Sequence, residues 1–375
     1  MSKAEAAQQP DWDAPELVAQ VRDELAGLPG LVTEHDVDAL RAALAEVAAG
    51  NAQVLQAGDC AEDPAESTPG HLARKTGLID MLAGLMKTNT RKPVLRIGRI
   101  AGQYAKPRSA TTETVEGVEL PVYRGHLVNA PDPEPEARRP DPKRILLGYW
   151  AASEAMEALR PNRFDAPLWT SHEALLLDYE EPMRRGRLLA STHWPWIGDR
   201  TRHPDGAHVT MLADVVNPVA CKVGPGTTVD ELLAVVTRLD PNREPGRLTL
   251  IARMGADRVA DRLPPLVRAV ADTGRRMIWL CDPMHGNTIT VGTRKTRLLA
   301  TMIREVTRFQ PAVTGSGGVA GGLHLEITPG HVTECVTDLS EVAEADYTTF
   351  CDPRLNPDQA MAVVAAWHGR PGGTR

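Results

Sequence analysis

Aromatic side chains are scarce in this chain: seven Trp, five Tyr and three Phe among 375 residues. Its core must therefore be mainly aliphatic. Positive charge is not in excess. The formal net charge is −7 and the isoelectric point is near 5.9, which excludes general binding to nucleic acid or to acidic membranes. No apolar run reaches the roughly 18 residues of a membrane span. The N-terminal MSKAEAAQQPDWD lacks the basic and apolar regions of a signal peptide, so a cytoplasmic protein is expected. Cysteine is sparse and odd in number, at five, which does not fit a disulfide framework. Phosphate-loop, HExxH and dinucleotide-binding signatures are also missing. The Gly-rich stretch 315–322 precedes a strand and not a helix, and reads as a flexible loop.

What remains is a regular alternation. Residues 14–50 carry apolar positions at helical spacing in two segments, the second ending at Gly50. Strand-like runs follow at 54–59, 93–102, 188–192, 218–223, 248–253, 277–281, 323–327 and 348–351. Helical patterns separate them, including TVDELLAVVTRL, VADRLPPLVRAVADTG and TRLLATMIREVTRF, with a further helix expected around HVTECV. Eight strands alternating with helices indicate an α/β fold with a parallel sheet. The expected architecture is a single (β/α)8 barrel over 51–367, an N-terminal helical extension over 1–50 and a tail over 368–375. The polar segment 103–145 is long for a connection, which points to function or disorder.

The chemistry sits at the ends of these strands. Cys60, His285, Glu326 and Asp352 each close or follow one. A thiol, an imidazole and two carboxylates are a plausible transition-metal set. They are spread over most of the chain, and only a fold that gathers strand ends brings them together. Arg99, Lys222 and Arg253 lie in apolar strands, where a charge needs an anionic partner. Lys106, Arg108 and Ser109 follow Arg99 in a loop that, read alone, is as consistent with a solvated basic turn. Trp196, Asp199 and Arg200 form a turn that is either packed or functional. His324 is expected to face the helix layer or solvent. Cys221, Cys281 and Cys351 read as small buried hydrophobes.

The segments QAGDCAE, RIAGQYAKPRS, NPVACKVGP, WLCDPMHGNT, GGLHLEIT and CDPRLN resemble those of type II 3-deoxy-D-arabino-heptulosonate 7-phosphate (DAHP) synthases. The resemblance runs from about Pro15 to about Trp367. It implies condensation of phosphoenolpyruvate with erythrose 4-phosphate in the shikimate route to chorismate and the aromatic amino acids. It also implies a divalent metal, manganese or cobalt, on Cys60, His285, Glu326 and Asp352. Phosphoenolpyruvate would lie on Arg99, Arg200, Lys222 and Arg253, next to Trp196 and Asp199. Lys106, Arg108 and Ser109 match the segment that receives erythrose phosphate. Cys60, Lys222 and His285 are the implied catalytic residues. A homo-oligomer is expected, with neither nucleic acid nor membrane as partner. Two positions depart from the family pattern: Ala57 stands where Gly is usual, and Asp199 where Glu is usual. The chain is short for the family, which opens specialised metabolism as an alternative, with an amino or imino analogue of erythrose 4-phosphate as acceptor.

Overall fold

The computed structural model describes residues 6–115, 117–160, 166–344 and 346–369. From residue 370 onward the expected tail lies outside them. Eight parallel strands form one curled sheet: β1 (Gln53–Gly58), β2 (Val94–Arg99), β3 (Leu168–Thr170), β4 (Trp196–Ile197), β5 (Val219–Val223), β6 (Leu248–Ala252), β7 (Ile278–Cys281) and β8 (Val319–Glu326). Strand neighbours follow chain order, and β8 pairs back onto β1 with Gly58 opposite Glu326. The remaining edges, β3 and β4, meet through a bridge between Glu173 and Trp196 and through the Trp196 N–H bonded to the His172 carbonyl. The sheet thus closes on itself with right-handed barrel order.

Helices cover the outside: α1 (Pro15–Gly27), α2 (Glu34–Ala49), α3 (Pro69–Thr90), α4 (Arg144–Ala158), α5 (Ala207–Ala213), α6 (Val229–Leu239), α7 (Val259–Ala271), α8 (Leu299–Thr314) and α9 (Pro357–Ala365). Local chemistry sets their ends. Thr33 with Asp36, Thr228 with Glu231 and Asn356 with Gln359 form capping boxes, and Gly50 takes the left-handed cap of α2. Leu40, Leu44 and Val47 of α2 pack with Val54, Ile97, Ile251 and Ile278, interior residues of the strands. Helix α2 therefore plugs one end of the barrel and leaves the C-terminal strand ends open.

Strand alternation decides what fills the interior. Along β1, Val54 packs with the α2 plug, Leu55 and Ala57 join the helix-facing core, and Gln56 turns inward. Along β5, Ala220 and Lys222 alternate with Cys221 and Val223 in the same way. The interior is apolar near α2 and becomes polar toward the open end.

Four sequence expectations change here. Residues 188–192 do not form a barrel strand, since Leu188–Leu189 pair only with Arg184–Arg185 in a small hairpin. The third and fourth strands are instead Leu168–Thr170 and Trp196–Ile197, too short to show a period. Residues 348–351 are loop, and no helix forms around HVTECV, where the Arg354–Glu334 ion pair and side-chain donors to the Val332 and Cys335 carbonyls hold the stretch without periodic packing. The Gly-rich segment is half strand, as β8 begins at Val319.

Candidate active site

The donors come together at the open end. Cys60 Sγ and carboxylate oxygens of Glu326 and Asp352 lie within 4.8 Å of one another. His285 Nε2 is 3.2 Å from Glu326 Oε1. Its other ring nitrogen, Nδ1, donates to Asp282 at 2.8 Å, which turns Nε2 toward the cluster. Asp352 follows strand β8 through a loop whose backbone is held by Glu334, which accepts from Thr349 N–H and Arg354 N–H. This donor set, sealed and preoriented, suits a divalent metal ion.

Burial and charge compete at the two carboxylates. Burial would push the Glu326 carboxyl up, but His285, Arg297 and Arg99 hold it well below the usual carboxylate range. Asp352 is likewise lowered against its burial, chiefly by Lys106 and Arg297. The Cys60 thiol is pushed well up by burial, by the neighbouring Cys351 and by Glu326. A bound cation would reverse that pressure.

A cavity of about 400 Å³ opens beside this cluster. Arg99, Lys106, Arg108, Ser109, Trp196, Asp199, Arg200, Lys222 and Arg253 all line it, together with His285 and Asp352. Every substrate-contact residue expected from the sequence therefore reaches one space. Arg99 donates to Glu326 Oε1 at 3.1 Å and lies over the Trp196 ring at 5.3 Å. Lys222 Nζ is 3.2 Å from Asp282, the carboxylate that also holds His285. Lys106 is buried, not solvated, and donates to the Cys60 carbonyl at 3.0 Å. Arg200 donates to Ser109 Oγ at 2.6 Å, joining the two basic turns. Arg253 meets Asp199 at 3.5 Å.

His324 overturns its expectation. It is fully buried, accepts from Arg99 at Nε2 (3.2 Å) and donates from Nδ1 to Gln56 Oε1 at 2.6 Å. Residues two apart on a strand share a face, so His324 points inward with Glu326. Burial, Lys222 and Arg99 keep its ring neutral, with a pKa well below the ordinary value. Cys351 is also more than core: it neighbours Cys60 and accepts from Arg108 at 3.6 Å.

Sequence reading passed over several residues. The Glu62 carboxylate accepts from three successive backbone N–H groups, of Ala101, Gly102 and Gln103, at 3.0, 2.9 and 2.7 Å. These groups form an anion nest in which Ala101 adopts a φ of +64°, rare for a residue with a side chain. The loop that carries Cys60 thereby grips the loop that carries Lys106 and Arg108. Glu173 lines the cavity and is about nine-tenths buried, with Oε1 lacking any hydrogen-bond partner among the described residues. Its run, SHEALLLDYE, hinted at function only through a charge ahead of an apolar stretch. Arg297 pairs with Glu326, but its segment TRKTRLL reads as a solvated helix start.

With this geometry in place, relatives can be compared. The chain matches the class-II DAHP synthetase family over residues 1–164 and 162–366. The chain belongs to that family. It is 52% identical to a probable phospho-2-dehydro-3-deoxyheptonate aldolase of Pseudomonas fluorescens, covering 98% of this chain and 96% of the relative. It is 38% identical to a phospho-2-dehydro-3-deoxyheptonate aldolase of Streptomyces coelicolor, covering 96% and 94%. A solved phospho-2-dehydro-3-deoxyheptonate aldolase from Francisella tularensis superposes with a TM-score of 0.55 at 13% identity, over 97% of this chain and 99% of that one. That likeness speaks for the fold alone. The relatives' shared name does not favour the amino or imino acceptor.

The two departures from the family pattern fall in different places. Ala57 faces the helix-side core and touches none of the site. Asp199 lines the cavity, and its short side chain still reaches both Arg202 at 3.0 Å and Arg253 at 3.5 Å.

Proposed function

We propose that this chain condenses phosphoenolpyruvate with erythrose 4-phosphate to give DAHP and inorganic phosphate, the first step of the shikimate route. One observation carries the reading. A single cavity brings Arg99, Arg200, Lys222 and Arg253 beside His285 and Asp352 of a buried Cys/His/Glu/Asp cluster. Substrates bearing two phosphates and a carboxylate need such a concentration of cations.

Cys60, His285, Glu326 and Asp352 would hold the metal, manganese or cobalt. When bound, it supplies Lewis-acid polarisation of a carbonyl oxygen. The chain's own residues do the rest. Arg99, Lys222 and Arg253 offset the charges of phosphoenolpyruvate and orient its methylene carbon toward the aldehyde. Arg200 belongs to the same clamp and reaches Ser109, which with Lys106 and Arg108 receives the second phosphate. A carbon–carbon bond forms between the methylene carbon and the aldehyde carbon, and the aldehyde oxygen takes a proton. Water adds to the enol carbon, the carbon–oxygen bond to phosphate breaks, and phosphate leaves. Glu173 is the carboxylate in the cavity suited to accept the proton of that water.

No helix among the described residues is long and apolar enough to cross a membrane. A cytoplasmic location and a homo-oligomer belong to the same proposal. Leu147 and Trp150, large and exposed on α4, support a face covered by a second copy. Light scattering of the purified protein tests this.

The decisive assay follows phosphoenolpyruvate loss with erythrose 4-phosphate, with and without chelator. Consumption that needs both the aldehyde and a divalent ion is expected. Consumption indifferent to either one overturns the reading. Cys60→Ala should stay folded yet lose bound metal and turnover. Full activity after chelation and metal add-back would remove Cys60 from the ligand set.

A further inference from the structure

Two loops of the site carry different duties. The loop after β6 runs from Arg253, a proposed phosphoenolpyruvate ligand, through Met254, Gly255 and Ala256. The loop after β7 carries His285, Gly286 and Asn287. They touch glycine on glycine. A Cβ on Gly286 would lie 2.3 Å from the Gly255 nitrogen, and one on Gly255 would lie 2.7 Å from the Gly286 oxygen. Gly255 also has a φ of +84°, which a side chain would disfavour. No slack separates the two loops.

One carboxylate spans this junction from outside the cavity. Glu305, on α8, is fully buried and takes no part in the chemistry proposed above. Its Oε1 accepts from the Gly255 N–H at 2.9 Å, and its Oε2 accepts from Asn287 Nδ2 at 2.5 Å. Asn287 completes the clasp. Its Oδ1 accepts from the Ala256 N–H at 2.9 Å, and its Nδ2 also donates to the Pro283 carbonyl at 2.7 Å. One turn further along α8, Arg308 donates to the Ala256 carbonyl at 2.9 Å.

We infer that Glu305 is a positioning residue which, through Asn287, locks the phosphoenolpyruvate clamp and the metal-ligand loop into one unit. The donor pattern favours a carboxylate: burial pushes the Glu305 pKa up to about 8, and the hydrogen bonds from Asn287 and Gly255 pull against that rise. Two N–H donors converge on it, and only a carboxylate ends in two acceptors. An amide at 305 would turn its NH2 toward another donor, either the Gly255 N–H or Asn287 Nδ2. Flipping Asn287 to relieve the clash would set its own NH2 against the Ala256 N–H. Arg253 and His285 would then lose their common reference. The inference rests on the site reading above, which makes these two residues ligands of different species.

The test is a double-substitution cycle on the full chain. Metal affinity is read by chelator competition, and phosphoenolpyruvate and erythrose 4-phosphate affinities by calorimetry and by KM. Glu305→Gln and Asn287→Asp should each weaken metal and phosphoenolpyruvate binding together, by about tenfold, the scale of one unmade buried hydrogen bond. The KM for erythrose 4-phosphate should hold. Combined, the two substitutions restore the pairing across the junction: the amide at 305 donates to the carboxylate at 287, which still accepts from Ala256, and only the Pro283 carbonyl loses its donor. Recovery of most of both affinities in the combined variant, relative to either single variant, is expected. The same holds if a single variant fails to fold, because the combined one should then fold and bind. Additive losses in the combined variant, or loss of one affinity without the other, overturn the clasp. Arg253→Ala and His285→Ala are run alongside. If these leave both affinities unchanged, the site reading has failed, and not the clasp alone.

Discussion

Arg297 and Glu326 form an ion pair of 2.8 Å in which neither side chain reaches solvent. Arg297 also donates to the carbonyl of Pro353, next to Asp352. One guanidinium thus braces two of the proposed metal-ligand positions from behind. Removing one partner of such a pair leaves an uncompensated buried charge. Arg297→Met should therefore lower stability by about 3 kcal/mol, as breaking buried pairs commonly does. Urea unfolding measures it. A loss under about 1 kcal/mol would mean that Glu326 is compensated by its other partners.

Arg253 tests the anion clamp. Its guanidinium lines the cavity with only Asp199, at 3.5 Å, as ion-pair partner among the described residues. Arg253→Ala should raise the KM for phosphoenolpyruvate by an amount worth roughly 2–5 kcal/mol, the cost of truncating a charged hydrogen-bonding partner. Initial rates at varied phosphoenolpyruvate show it. Unchanged KM and kcat would contradict a binding role.

Glu173 tests proton transfer. A buried carboxylate facing a cation-lined cavity is placed to take a proton, and Gln at that position keeps shape but cannot. Glu173→Gln should lower kcat by about 10²–10⁴, the usual contribution of general base catalysis. The KM for phosphoenolpyruvate should change little. A fall in affinity with kcat intact would recast Glu173 as a binding group.

His193 makes a pH prediction. It is buried and its Nδ1 accepts from the Thr170 N–H at 3.0 Å, beside the junction of β3 and β4. Burial lowers its pKa to about 4. The unfolded chain, near the ordinary value of about 6.5, binds more protons than the folded one between these limits. Stability should then rise with pH through this window and be lost as pH falls from about 6.5 toward about 4. The loss from this residue is about 2 kcal/mol by pH 5. His126, also lowered by burial to about 4, adds in the same direction. Urea unfolding at pH 7 and pH 5, for the natural chain and for His193→Asn, checks it. An equal loss in both proteins would assign the effect elsewhere.

Much was legible in the residues themselves. Short apolar runs marked β1, β2, β5, β6 and β7. Their ends, with that of β8, pointed to Cys60, His285, Glu326 and the main cations, because a charge in an apolar strand demands a partner wherever it lies, whereas Asp352 follows a run that is loop. Caps such as Thr228 with Glu231 act within one turn, so they too can be read locally. Tertiary structure alone decided the rest. Leu168–Thr170 and Trp196–Ile197 are strands because the ring must close, and their own few residues carry no pattern. Glu62, Glu173, Arg297 and Glu305 gain their roles from groups tens to hundreds of residues away. A carboxylate's meaning depends on which donors meet it, and that meeting is a property of the closed barrel.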